Sequence, residues 1–252
     1  MDKFETYKWK EIRNSCSGRR CFVIGNGPSL QVDDLSKLDL KGEICIASNK
    51  IFLAFNKTPW RPNYFTVADR LVAENNRGEI RSLDLFKIFL YDINPILGFN
   101  SEPDVKGYQL YYPGYPSKFD HQDRYVPQFY RGPPTEGFYV GETISFLNIQ
   151  LAHYLGCNPI ILIGIDGSYQ KSQTKTSHHA YGEVYAAQNE KNHFLDNYRE
   201  QGETWSIPRP EIHEQDYRFA RKYLLEQGIS LWNASRSSVV KAIERVDFDS
   251  LF

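Results

Sequence analysis

"CFVIGNGPSL", residues 21–30, decides the fold: an apolar, β-branched and aromatic run breaks abruptly into two glycines, an asparagine and a proline. A chain leaving a strand through so much backbone freedom is turning sharply or letting something come close. Gly25 and Gly27 can take positive φ and, lacking Cβ, let main-chain N–H groups near a ligand, while Ser29 can cap a following helix. That geometry suits a phosphate. The stretch is neither the full GxGxxG dinucleotide fingerprint nor a P-loop, since no Lys-Ser/Thr pair follows, so a purely structural turn stands open beside the phosphate reading.

Working outward, "DDLSKLDLKG" (33–42) suits a short helix, "EICIAS" (43–48) a second buried strand, and "NKIFLAFNK" (49–57) a helical turn or more. "PNYFTVAD" (62–69) and "LFKIFLYD" (85–92) are apolar runs that each end in Asp, separated by a polar stretch (70–83) that reads as an exposed helix. From 93 to 141 the periodicity fails among Pro, Gly, Tyr and Asp, which predicts long loops with a strand at "GYQLYY". "ETISFLNIQLAHYLG" (142–156) predicts an amphipathic helix stopped by Gly156, and "NPIILIGID" (158–166) is the most apolar strand. The polar, irregular stretch 167–210 predicts a lid or small subdomain. It is followed by a helix over 211–228, a short strand at "ISLWNAS" and a helix N-terminus at "VVKAIERV" (239–246).

Strands buried on both faces and alternating with helices predict an α/β fold, a doubly wound and largely parallel sheet. Residues 1–165 with 206–252 then form a Rossmann-like nucleotide-binding domain, and 166–205 a smaller lid subdomain inserted in it. In such sheets ligands bind beyond the carboxyl ends of the strands. Attention therefore falls on Gly25–Ser29, Asn49, Asp69, Asp92 and Gly164–Tyr169.

The 252 residues suffice for a sizeable core, and 30 Lys plus Arg against 31 Asp plus Glu give no polyanion-binding signature, so no nucleic-acid partner is expected. Aromatics at 15% serve cores and also surfaces that stack on rings or sugars. Four cysteines without a CxxC pair read as buried free thiols in a reducing compartment. With no apolar run near the ~18 residues of a membrane span and a polar N-terminus, a cytoplasmic protein without a membrane span is expected.

Asn49, at the end of the second strand, can donate to and accept from a ribose or base edge, or cap a helix. Asp69 and Asp166 can hold ribose hydroxyls or a metal, or act as base, with helix capping as the plainer role. His178, His179 and His193 share the lid with Tyr169, Tyr181, Tyr185 and Tyr198, a concentration of proton carriers, while His121, His153 and His213 read as surface positions. No metal-ligand spacing is present, and no metal site is assigned. Asn233, Ser235 and Ser238 in "WNASRSS" can bind a base or phosphate, or simply cap.

In this order, "VIGNGPSL", "IASNKIFL", "YFTVAD", "ETISFLNIQLAHYLGCNPIILIGIDGSY", "NHFLDNY" and "GISLWNASRSSVV" resemble the bacterial sialyltransferases of glycosyltransferase family 42. The series is equally similar to the group of motility-associated-factor proteins and archaeal 6-hydroxymethylpterin diphosphokinase, over residues 20–245 or so. The resemblance implies a GT-A-like variant of the fold. It also implies a glycine-rich turn against the donor phosphate (Gly25, Asn26, Gly27, Ser29) and nucleotide contacts from Asn49, Thr143, Ser145, Asn233, Ser235 and Ser238. Asp69 stands where the family has Asn. Tyr169 and Tyr181 are the nearest counterparts of the tyrosines that assist departure of the phosphate. Of the family's H-x-x-x-H pair, "HFLDN" keeps the earlier member, His193, with Asn197 at the later position, leaving His193 or Asp196 as base.

The expected activity is transfer from a nucleotide-activated sugar, a CMP-linked acidic sugar, to a glycan or small-molecule acceptor in bacterial surface polysaccharide or glycoconjugate synthesis. No cofactor is required for that reading, although Asp69 and Asp166 leave room for Mg2+, and family members are often homo-oligomers. Two alternatives stand: Mg2+-dependent diphosphoryl transfer from ATP to a pterin-like alcohol, and a non-catalytic nucleotide-binding protein.

Overall fold

A computed structural model describes residues 9–98, 109–112, 114–115, 118–119, 122, 124–130, 137–170, 174–179 and 182–252. The apolar runs become strands where the sequence places them: β1 Cys21–Ile24, β2 Ile44–Ser48, β3 Tyr64–Val67, β4 Lys87–Leu90, β5 Gln109–Tyr112 and β6 Ile160–Ile163. β1 to β4 and β6 are buried at every position, which is why they read as continuous apolar runs and not as alternating ones. Three short strands, β7 Lys175–His179, β8 Gly182–Ala186 and β9 Thr204–Ser206, form a separate antiparallel sheet, and β10 Leu231–Asn233 and β11 Glu244–Arg245 complete the main one.

The main sheet has eight strands in the order β11-β10-β6-β1-β2-β3-β4-β5, and every neighbouring pair is parallel. β1 is flanked by β2, next in sequence, and by β6, with Cys21 opposite both Ile44 and Ile160. The strand order reverses between β1 and β6, so the crevice of a doubly wound sheet lies beyond Ile24 and Ile163.

Helices cover the sheet: α1 Val32–Leu40, α2 Arg70–Asn75, α3 Arg77–Ser82, α4 Asn94–Leu97, α5 Ile144–Tyr154 and α6 Pro210–Leu225. The polar stretch after β3 is two helices, parted where Asn76 leaves helical geometry at φ −128°. α5 corrects an expectation. It is not amphipathic, because it packs across β1, β2, β3 and β6 on one side and α6 on the other, leaving nine of its 11 residues buried. Each fully buried Phe, Leu or Ile there contributes about 1.5–3 kcal/mol.

A second correction falls at "VVKAIERV". The chain there is extended and ends in β11 because other groups satisfy its backbone. The Glu214 carboxylate accepts from Lys241 N (2.6 Å) and Ala242 N (2.9 Å), and the Arg245 guanidinium donates to the Ser235, Arg236 and Ser238 carbonyls. All four cysteines are free and buried. Among the described residues no helix is long and apolar enough to cross a membrane.

Candidate functional site at the carboxyl edge of the sheet

In the loop after β1 the amides of Gly25, Gly27, Ser29 and Leu30 are turned onto the chain itself. Gly25 N donates to Ile163 O and Gly27 N to Gly164 O, both at 2.8 Å, and Leu30 N turns back to Gly27 O. Ser29 donates its main-chain N–H to Asp166 Oδ2 (2.8 Å) and its hydroxyl to Oδ1 of the same carboxylate. Glycine is required because two loops touch: a Cβ on Gly25 would stand 2.4 Å from Gly164 O, and one on Gly27 2.5 Å from Asp166 Oδ2. Burial raises the Asp166 carboxyl above its ordinary range, and the Ser29 hydrogen bonds oppose that rise.

The far side of β6 is equally occupied. Asn233 Oδ1 accepts from Ser235 N, Asn233 Nδ2 donates to Ser238 Oγ (both 3.0 Å), Ser235 Oγ accepts from Ile165 N (2.9 Å), and Ser238 Oγ donates to Ile165 O (2.8 Å). These three side chains tie the loops after β6 and β10 together, and Asn233 and Ser235 are 0% and 1% exposed. Thr143 caps α5, sharing hydrogen bonds with Ser145, whose hydroxyl meets the Tyr217 hydroxyl at 2.6 Å. Asp69 caps α2 by accepting from Leu71 N and Val72 N, and its position is exposed.

Between β1 and β2 the accounting is different. Asn26 Nδ2 donates to Ser48 O (3.0 Å), yet Asn26 Oδ1, Ser48 Oγ and Asn49 Oδ1 are buried with no hydrogen-bond partner among the described residues. Asn49 holds φ +57°, a left-handed geometry that Asn tolerates better than most residues. Three orphaned oxygens at the carboxyl ends of neighbouring strands are costly unless water or a ligand meets them.

The segment after β8 closes over these atoms. Phe194 N donates to Asn26 O (3.0 Å), and Lys50 N donates to the Tyr198 hydroxyl (3.4 Å). The His193 ring lies flat on Tyr198, 3.7 Å between centroids. Burial, then the charges of Arg199 and Lys50, push the His193 imidazole down to about 2. It is neutral in this arrangement and a weak base. Lys50, 5% exposed, pairs with Glu203 at 2.8 and 3.1 Å, and Arg199 lies over the Trp205 ring at 4.3 Å.

Tyr169 is 38% exposed and stands edge-on to His213 at 6.2 Å. His213 is not a surface residue: it is 5% exposed, its Nε2 has no partner among the described residues, and burial pushes it down to about 4 against the pull of Glu142 and Glu211. One turn on, Asp216 accepts from Glu142 N (3.0 Å) and the Tyr125 hydroxyl, and burial lifts it to about 7. Tyr181 and His121, and the side chains of His178 and His179, lie outside the described residues.

Lys50, Glu203, His213 and Asp216 were not singled out from the sequence. Lys50 carried a signal, standing directly after Asn49 at a strand end. His213 and Asp216 stand at helical spacing from Tyr217, Ala220 and Leu224, so the stripe that buries them was present in the sequence although their polarity masked it. Among the described residues no three His, Cys, Asp or Glu side chains are grouped to hold a metal ion.

A family model described as 6-hydroxymethylpterin diphosphokinase MptE-like matches residues 1–172. The solved structure of a MAf glycosyltransferase from Magnetospirillum magneticum AMB-1 has a similar fold, with a TM-score of 0.54 at 12% identity. That similarity covers 99% of this chain and 39% of the other, so the chain spans well under half of that glycosyltransferase. No curated protein matches the chain.

Proposed function

The chain belongs to the 6-hydroxymethylpterin diphosphokinase MptE-like family, and on that premise we propose that it is a transferase using a nucleotide-activated donor bound at the carboxyl edge of the sheet. The carrying observation is the set of buried, unpartnered oxygens of Asn26, Ser48 and Asn49. The two amide oxygens accept and the Ser48 hydroxyl both donates and accepts, a set suited to ribose hydroxyls or an exocyclic amine. Glycosyl transfer from a nucleotide sugar, a CMP-linked acidic sugar, is the favoured reaction, with the product a bacterial surface polysaccharide or glycoconjugate.

In that reaction the acceptor oxygen bonds to the anomeric carbon as the bond from that carbon to the donor phosphate breaks. The acceptor proton passes to a base. His193 fills this role once it leaves the Tyr198 ring and the neighbouring cations, because its basicity then returns toward the ordinary range near 6.5. Tyr169, partly exposed after β6, donates a hydrogen bond to the departing phosphate oxygen. Asp166 acts indirectly, fixing the loop through Ser29.

The family match favours a second reading, diphosphoryl transfer from ATP. That reaction needs a divalent cation, which can be held by one or two carboxylates and the substrate phosphates. Asp69 and Asp166 are the available carboxylates, and each already accepts hydrogen bonds from the chain, so they fit such an ion poorly as arranged.

Melting the protein with CMP, CDP, UDP, GDP and ATP, with and without Mg2+, tests both. A ligand at a hundred times its Kd adds about 2.7 kcal/mol, several degrees in Tm for a chain of this size. A rise with cytidine nucleotides alone supports glycosyl transfer, and a rise only with ATP and Mg2+ supports the kinase. No rise with any nucleotide overturns both.

A further inference from the structure

A bound phosphate needs either several free amides in one turn or a buried cation. The turn after β1 offers little of the first. Its Gly25, Gly27, Ser29 and Leu30 amides all donate to the chain itself, and Pro28 has none. It also carries the Asp166 carboxylate against Ser29, whose charge repels an anion. The glycines are there for loop-to-loop contact.

The second requirement is met one strand away. One cation lies under the segment that covers the orphaned oxygens, and a second belongs to that segment. Lys50 follows Ser48 and Asn49 directly, its side chain 7% exposed, with both Glu203 oxygens on its Nζ. Arg199 has an Nη1 without a hydrogen-bond partner among the described residues, 3.9 Å from Glu190. Glu203 does not come from the sheet. It comes from the covering segment, and its Oε2 also receives Glu200 N at 3.0 Å. A buried ion pair adds little stability over apolar packing but is well suited to a switch, since either partner can be replaced by a better one.

We propose that Lys50 is the residue that binds the phosphate of the nucleotide donor, and that the Glu203 carboxylate is its stand-in when no donor is present. The arriving phosphate displaces Glu203 from Nζ. The Glu203 end of the covering segment is thereby released from Lys50 as the donor settles against Asn26, Ser48 and Asn49, while Arg199, four residues earlier on the same segment, stays over the site and supplies the second positive charge. This rests on the nucleotide reading of the site and adds the residue that carries the charge.

Isothermal titration with inorganic diphosphate, acetate and the best nucleotide from the melting panel tests it on the whole chain. Glu203→Gln should bind diphosphate about tenfold more tightly than the wild type. The double variant Lys50→Met, Glu203→Gln leaves no unpaired buried charge and so keeps the fold. It should bind diphosphate at least tenfold more weakly than Glu203→Gln alone while retaining its unliganded Tm. Equal diphosphate affinity in the single and double variants overturns the assignment, as does acetate binding Glu203→Gln as tightly as diphosphate does. A protein that binds nucleotide but shows either result loses this inference alone, whereas one that binds no nucleotide loses the site reading as well.

Discussion

The carboxyl edge of the sheet has two sides that differ in one respect. Around β6 and β10 every polar group named at the outset is matched within the chain: Gly25, Gly27, Ser29, Asp166, Asn233, Ser235 and Ser238 close a continuous set of hydrogen bonds. Around β2 three oxygens are unmatched and sit under a segment fastened by an ion pair. A matched polar group is part of the scaffold, and an unmatched buried one is waiting for a partner. The residues most conspicuous in the sequence belong to the first kind.

The comparison breaks most visibly at Gly27. On the matched side Gly27→Ala should lower stability by about 3 kcal/mol or more, since the new methyl group meets a carbonyl and a carboxylate with no flexible neighbour to yield. Denaturant midpoints measure this, and a variant as stable as the wild type would mean that the two loops do not touch.

On the unmatched side the next effect is one of pH. His193 is held below its ordinary value when covered, so closure is fully favoured above about 6.5 and weakens as the pH falls toward 2. At about 1.4 kcal/mol per unit, closure loses roughly 2 kcal/mol by pH 5. Hydrogen exchange over 190–205 should rise correspondingly between pH 7.5 and 5, and His193→Phe should abolish that rise. Exchange in the wild type that is indifferent to pH would place the imidazole in water.

The smallest change sharpens the contrast. Ser48→Ala removes an oxygen that nothing in the described chain meets, so stability should stay within about 0.5 kcal/mol. The nucleotide-induced rise in Tm should shrink by a degree or more. Stability lost with binding intact would place Ser48 in the scaffold.

The fold was legible because burial on both faces writes a parallel strand as an apolar run, and the glycines and aspartates at strand ends mark the loops. α5 misled because its Asn148 and Gln150 look solvent-facing but bond within the core, to Thr66 and to the Tyr139 carbonyl. "VVKAIERV" misled because its helical spacing is overridden by Glu214 and Arg245, which reach it from elsewhere. At the site the sequence could mark Gly25 and Gly27 as special without saying whether a ligand or another loop approaches them. The Lys50–Glu203 pair joins residues 153 positions apart, and no local pattern encodes it.

The parallel pairing of Cys21 with Ile160 has a consequence for how the protein is made. At about 5–20 residues per second, the ribosome takes on the order of ten seconds to deliver β6 after β1 has emerged. Until then one edge of the most apolar part of the sheet is bare and open to pairing with another chain. Truncated forms ending before residue 160 should therefore gather in inclusion bodies, and overproduction of the intact protein should benefit from slow translation or a holdase that shields that edge.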